Sequence, residues 1–139
     1  MPLTDKQKEM VRTTWARVLP ISDEAARLFY GRLFELDPST EPLFAGANMD
    51  EQGKKLMQTI DVAVAGLDDL HRTRLAVEDL GRRHVGYGVR KEQYESVGMA
   101  LLWTLRQGLG DDFTPEAEEA WAETYGALAN LMKSAAARV

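Results

Sequence analysis

Apolar residues recur every three to four positions along most of the chain, and this periodicity limits the fold more than any other feature. Val11, Trp15 and Val18 share one helical face, and the same spacing returns in several later segments. No stretch alternates apolar and polar residues for long enough to form a convincing strand. The sequence therefore predicts an all-α domain of about six to eight helices.

Capping residues and prolines set the predicted helix limits. Thr4 and Gln7 have capping-box spacing, Pro20 ends the first helix, and Ser22 is expected to cap the second. Gly98 interrupts an otherwise good helix and indicates a close helix crossing. The predicted helices run over about 4–18, from 22 to before Asp37-Pro38-Ser39, about 50–66, about 75–85, 94–109 and from Thr114 onward. The hydroxyl of Thr114 is expected to cap the last of them. A short helical turn is expected from Pro38, with Phe44 on the following bend.

Composition excludes several classes of function. A chain of 139 residues is expected to form one domain, residues 1–139. The net charge of −5 argues against binding nucleic acid or anionic membranes. The absence of cysteine excludes disulfides, thiolate nucleophiles and thiolate-bound metals. We find no signal peptide and no membrane-spanning stretch, so a cytoplasmic location is expected.

Few polar residues suggest chemistry. Gly-x-Ser-x-Gly, P-loop and His-Glu-x-x-His motifs are absent from the sequence. The acidic pairs Asp68-Asp69 and Asp111-Asp112 are interpreted as solvated turns and caps. His71 is expected in a polar connection as an exposed loop residue. We assign none of these residues a catalytic role.

His84 differs from His71 in its context. It lies one helical turn after Leu80 and just before the glycine-rich exit Gly86-Tyr87-Gly88, so it is predicted near a helix C-terminus. Taken alone, this context also fits an ordinary, partly buried histidine.

Several positions read together distinguish these alternatives. The chain resembles globins, and in particular bacterial single-domain haemoglobins, the haem domain of flavohaemoglobins and neuroglobin. The resemblance spans nearly the whole sequence and includes the segments 80–84 and 120–126. The matching residues, in globin order and spacing, are Trp15, Tyr30, Pro38, Phe44, Gln52, Leu56, His84, Tyr94 and Trp121.

This resemblance implies a globin fold around one haem b. His84 would be the proximal iron ligand, oriented by a hydrogen bond from its second ring nitrogen to the carbonyl of Leu80. Phe44 would pack on the porphyrin, and the distal wall would consist of Tyr30, Gln52 and Leu56. Lys55 and Arg83 would pair with the haem propionates. The resemblance further implies pocket lining, which core packing explains equally well, by Val89, Tyr94, Val97, Leu101, Tyr125 and Leu128.

Two positions depart from the relatives. Neuroglobin has a distal histidine where this chain has Gln52, whose amide is a poor iron ligand, so we expect an open sixth coordination position. Flavohaemoglobins place a carboxylate near the proximal histidine from the last helix, and here that position falls near Ala136. Without this acid, efficient peroxidase-like chemistry is not expected.

Three functions follow as hypotheses. The first is reversible binding of dioxygen for storage or transport, with hydrogen bonds from Tyr30 and Gln52 to the ligand, and with nitric oxide and carbon monoxide as further ligands. The second is a nitric oxide dioxygenase that depends on a separate reductase. The third is a haem-free helical interaction domain, in which the apolar faces pack only with one another.

Overall fold

Helices account for most of the chain. The computed structural model describes residues 3–67 and 69–138, and for residues 70–72 it describes the backbone alone. Within those ranges there are six α-helices and no strand, which confirms the predicted all-α class. The helices are α1 (Asp5–Val18), α2 (Ser22–Leu36), α3 (Met49–Ala65), α4 (Leu70–Gly86), α5 (Gln93–Leu109) and α6 (Pro115–Ala136). None of them is long and apolar enough to cross a membrane.

Most predicted caps are present. The Thr4 and Gln7 side chains each accept a hydrogen bond from the other's backbone N–H, and the Thr114 hydroxyl accepts one from Ala117. The prediction for Ser22 is wrong. An N-cap residue needs an extended backbone, whereas Ser22 has φ −59° and ψ −36° and is already helical. The 3₁₀ segment Leu19–Ile21 leads directly into α2, so no extended residue separates the helices.

Helix α4 begins earlier than predicted. It starts at Leu70 rather than near residue 75, and residue 71 therefore belongs to a helix and not to a loop. Residues 71–74 are all polar, and polar residues do not by themselves break a helix, which is why the apolar pattern alone placed the start too late. The His71 side chain and Asp68 lie outside the described residues. Asp111 and Asp112 are exposed in the 3₁₀ segment Gly110–Asp112, as a solvated turn requires.

Two tryptophans join the first, third and last helices. The rings of Trp15 and Trp121 lie 6.0 Å apart and are inclined by 57°. The indole N–H of Trp121 donates to the hydroxyl of Thr14 at 2.8 Å, and that of Trp15 donates to the Asp61 carboxylate at 2.9 Å. Both large side chains are therefore buried with their single polar atom satisfied, as burial of indole requires.

Two glycines allow α6 to approach its neighbours closely. At Gly81 of α4, an added Cβ would lie 2.4 Å from the carbonyl oxygen of Met132. At Gly98 of α5, an added Cβ would lie 2.7 Å from the ring of Tyr125, so the close crossing expected there is present. The α4–α6 contact is the tighter one, because Gly81 meets helix backbone and not a movable side chain.

We expect Gly81→Ala to lower the free energy of unfolding by about 1–3 kcal/mol, as overpacking against an unyielding neighbour does. Urea denaturation followed by circular dichroism measures the change. Gly31→Ala in α2 is the control, because its Cβ would meet nothing within 4 Å. That control should be neutral or stabilising by up to about 1 kcal/mol. Equal stability of the two variants would contradict the close crossing.

Candidate functional site

The side chain of His84 is held by its own helix. Its Nδ1 lies 2.7 Å from the carbonyl oxygen of Leu80, the partner expected from the sequence. A carbonyl oxygen can only accept a hydrogen bond, so Nδ1 carries the proton in the neutral ring. Nε2 then presents its lone pair, and it has no hydrogen-bond partner in the described part of the chain.

The surroundings of His84 favour its neutral form. Burial lowers the pKa of the imidazole, the bond to Leu80 partly opposes this effect, and the positive charge of Arg83 lowers the pKa further. A neutral imidazole is the form that binds metals. At neutral pH, His84 is therefore a half-buried base with one committed nitrogen and one available nitrogen.

Two tyrosine rings flank His84. The ring centroid of Tyr87 lies 5.7 Å from that of His84, and the centroid of Tyr94 lies 6.4 Å away. Tyr94 is buried in the first turn of α5, and its carbonyl accepts a hydrogen bond from the Tyr125 hydroxyl at 2.5 Å. Burial raises the pKa of the Tyr94 and Tyr125 hydroxyls, so both remain neutral at neutral pH. Tyr94 and Tyr125 thus join α5 and α6 beside the histidine.

A second group of predicted residues centres on Tyr30 of α2. Its ring is in edge contact with Phe29 and Phe44, at centroid distances of 5.0 and 5.2 Å, and Phe34 lies 6.1 Å away. Phe44 is half-buried and is the last residue of the 3₁₀ segment Pro38–Phe44, so it belongs to the helical turn expected from Pro38 and not, as predicted, to a bend after it. These contacts bring the aromatic corner expected from the sequence against the inner face of α2.

The side chain of Gln52 lies near the Tyr30 hydroxyl. Burial raises the pKa of this hydroxyl, and hydrogen bonding with the Gln52 side chain partly offsets the rise. Gln52 lies in the first turn of α3, where the Asn48 side chain caps the helix by accepting from Asp50 and Glu51. The cap fixes the start of α3 and so the position of Gln52. Leu56, one turn later, is half-buried against the core.

The remaining predicted residues occupy more varied positions. Lys55 is exposed on α3, and Arg83 is exposed on α4, where its Nε lies 3.2 Å from the Asp79 carboxylate. Leu101 is buried, and the half-buried residues are Leu80, Val89, Val97 and Leu128. The structure thus gathers most of the predicted residues into two groups, and the two cationic side chains lie at the surface. The Tyr30 group consists of Tyr30, Phe44 and Gln52, and the His84 group consists of His84, Leu80, Tyr94 and Tyr125.

Sequence reasoning missed a buried polar residue that joins two distant segments of the chain. Gln93, the first residue of α5, is only 3% exposed and bonds to Ser39, a residue 54 positions earlier. Asp37, at the start of the same segment as Ser39, bonds to Ser96. The Gln93–Ser39 and Asp37–Ser96 bonds join distant parts of the chain, so no local pattern predicts them.

Comparison with known proteins gives consistent matches. A family model described as Globin matches residues 27–132. The chain is similar to the neuroglobin of Tetraodon nigroviridis, with 33% identity over 143 residues that cover 94% of this chain and 90% of the relative. The neuroglobin of Danio rerio is 31% identical with the same coverage. A flavohemoprotein of Rhizobium meliloti is 31% identical over 132 residues, which cover 94% of this chain and 33% of that protein.

Proposed function

This chain is a member of the globin family, and from that premise we propose that it binds dioxygen reversibly at a ferrous haem b held by His84. Globins bind haem and gaseous ligands such as dioxygen, so the general class of function follows from the family. The observation that carries the specific proposal is the 2.7 Å contact between His84 Nδ1 and the Leu80 carbonyl. This contact leaves Nε2 as the free, neutral donor that a haem iron needs.

The residues present fit a haem. A single neutral imidazole, half-buried and fixed in rotation and tautomer, matches the proximal ligand of a globin. The half-buried ring of Phe44 offers a flat apolar surface for the porphyrin, and the buried ring of Tyr30 beside it reduces access of water. Because the sequence has no cysteine, thioether attachment is impossible, which supports non-covalent haem b. Lys55 and Arg83 are the candidates for the propionates, Arg83 at the expense of its ion pair with Asp79.

The Tyr30 group supplies the distal side in this proposal. When bound, a ferrous haem offers a coordination position at which dioxygen gains partial negative charge. The phenolic O–H of Tyr30 and the amide N–H of Gln52 would both donate hydrogen bonds to such a ligand. The raised pKa of Tyr30 keeps its phenolic proton in place at neutral pH. Leu56 limits the space available to water and to larger molecules.

Further parts of the proposal are structural. Leu80, Val89, Val97 and Tyr125 line the proximal side together with Tyr94. The whole chain of 139 residues forms one globin domain, and the cytoplasmic location expected from the sequence stays a prediction. The alignment with neuroglobin over 94% of the chain supports the single domain.

We expect the protein purified from haem-sufficient cells to show a five-coordinate ferrous absorption spectrum, because Gln52 is a poor iron ligand. His84→Gly should lose that spectrum, and added imidazole should restore it by taking the place of the side chain. Absorption spectroscopy of the ferric, ferrous and oxygenated forms measures both effects.

The matched control is His71→Gly, which removes the other histidine of the sequence. An unchanged spectrum in His84→Gly would contradict ligation by His84. Absence of any haem band in the wild-type protein would favour the haem-free helical domain instead.

Tyr30→Phe should accelerate dioxygen dissociation by about 10- to 100-fold, because a hydrogen bond to a charged acceptor contributes about 1.5–3 kcal/mol. Stopped-flow displacement of dioxygen by carbon monoxide measures the rate. Tyr87→Phe is the control, since Tyr87 is 60% exposed and adjoins His84 instead. Identical rates in the wild type and Tyr30→Phe would remove the proposed donor.

The second candidate function is nitric oxide dioxygenation. The similarity to a flavohemoprotein over 94% of this chain favours it, and the same Tyr30 and Gln52 donors would serve it. Each turnover would join nitric oxide and dioxygen into nitrate and take one electron from a separate reductase.

Turnover distinguishes the two candidates. With excess nitric oxide, NADH and a flavin-dependent reductase, a dioxygenase should form many nitrate ions per haem, measured by ion chromatography. A carrier should form about one and then stall, because its iron is not reduced again. Omission of the reductase is the control and should limit either protein to a single turnover.

A further inference from the structure

We propose that Gln93 is a positioning residue, which holds the turn after His84 against the segment that ends in Phe44. The inference rests on the proposed function, since it takes His84 as the iron ligand. It concerns two short regions: the exit turn, residues 87–92, and the corner segment, Pro38–Phe44. One region follows the proximal histidine, and the other carries the phenylalanine proposed to contact the porphyrin.

The exit turn is bonded to His84 through the backbone. The carbonyl of His84 accepts hydrogen bonds from the N–H groups of Tyr87 at 3.1 Å and Val89 at 3.0 Å. The next N–H, that of Arg90, donates to Oε1 of Gln93 at 2.7 Å. Val89 bonds to the His84 carbonyl, and Arg90, the next residue, bonds to the Gln93 side chain. Gln93 is thus linked to the His84 backbone through two neighbouring N–H groups.

The other end of the same amide holds the corner segment. Nε2 of Gln93 donates to the hydroxyl oxygen of Ser39 at 3.2 Å, with a longer contact of 3.4 Å to the Ser39 carbonyl. The Ser39 hydroxyl in turn donates to Oδ1 of Asp37. A continuous series of hydrogen bonds and peptide links therefore runs from His84 to Asp37, the residue that caps the corner segment.

The corner end of this series is itself fixed. The Asp37 carboxylate accepts from the Ser39 backbone N–H at 3.2 Å and from the Ser96 hydroxyl of α5 at 2.9 Å. Hydrogen bonds from Ser39 and then Ser96 lower the pKa of Asp37, so the carboxylate is ionised at neutral pH. Thr40, buried beside it, donates to the Asp37 carbonyl at 2.7 Å.

An amide suits this position better than other side chains. Gln93 faces a backbone donor in the exit turn and a hydroxyl acceptor in the corner, and only a group with both functions satisfies the two. Because Gln93 is 3% exposed, water cannot readily replace either bond. An apolar side chain of equal length would fill the space and release both regions.

A role limited to stability is the alternative. Gln93 could lower the free energy of the folded state without any effect on the geometry of His84. The two roles differ in what a spectroscopic probe of the iron–histidine bond would report, because a destabilised but correctly positioned ligand gives an unchanged band.

The test uses Gln93→Met, which keeps the length of the side chain and removes both hydrogen bonds. In the ferrous holoprotein, resonance Raman should show a shifted or broadened iron–histidine stretching band. Transfer of haem to an apoprotein acceptor should be about 10-fold faster, the lower end of the effect of losing an outer-shell partner. Ser39→Ala, at an exposed position that tolerates change, should move both readouts in the same direction by less.

Two controls lie on the same helix. Gln107→Met repeats the substitution at an exposed glutamine and should change neither readout. Thr104→Ala removes a buried hydroxyl that bonds to the Ala100 carbonyl, so it should lower stability and leave the iron–histidine band in place.

The outcomes separate this inference from the function on which it rests. If the wild type shows an iron–histidine band that His84→Gly abolishes, but Gln93→Met and Ser39→Ala leave the band and the haem loss unchanged, the positioning role is overturned and the function stands. If Thr104→Ala shifts the band as much as Gln93→Met, the effect is one of stability and the inference is also overturned. If the wild type has no such band, the proposed function itself fails.

Discussion

The hydrogen bond between His84 and Leu80 is the interaction on which the proposed chemistry of this globin depends. It selects one tautomer of the imidazole, fixes the rotation of the ring and leaves a single nitrogen available. Partial burial adds to this by keeping the ring uncharged. A histidine at the same position without this bond could rotate and exchange between its two tautomers. One backbone carbonyl therefore separates a candidate axial ligand from an ordinary polar residue near a helix end.

The rest of the structure places other groups relative to that ring. The α4–α6 crossing sets the position of the helix, the Tyr94 and Tyr125 pair closes one side, and the aromatic contacts of Tyr30 and Phe44 form a separate wall. In the proposed function a haem lies between these groups. The two walls come from distant parts of the sequence, so their separation must be maintained by contacts outside the haem-facing residues.

Much of this arrangement could be predicted from sequence, and the failures have physical causes. Apolar periodicity gave the helical class, and the Thr4 and Thr114 caps are local features that a short window contains. Ser22 was assigned a cap because its residue type suits one, but backbone dihedrals decide whether the position exists. Gln93 bonds to the nearby Arg90, but its link to Ser39, 54 positions away, cannot be predicted from a short window of sequence. Local caps could be predicted from the sequence, whereas hydrogen bonds between distant residues could not.

Gly81 has a consequence beyond helix packing. It follows Leu80 directly, so the Leu80 carbonyl that orients His84 belongs to the peptide group between Leu80 and Gly81. Gly81 itself lies where α4 crosses α6 most closely. The direction of the imidazole is thereby tied to the distance between α4 and α6. Stability and axial-ligand geometry share one residue here, and evolution could not readily alter the first without altering the second. Variation in the ligand chemistry of such a chain would therefore be easier from the Tyr30 side, which the crossing does not constrain.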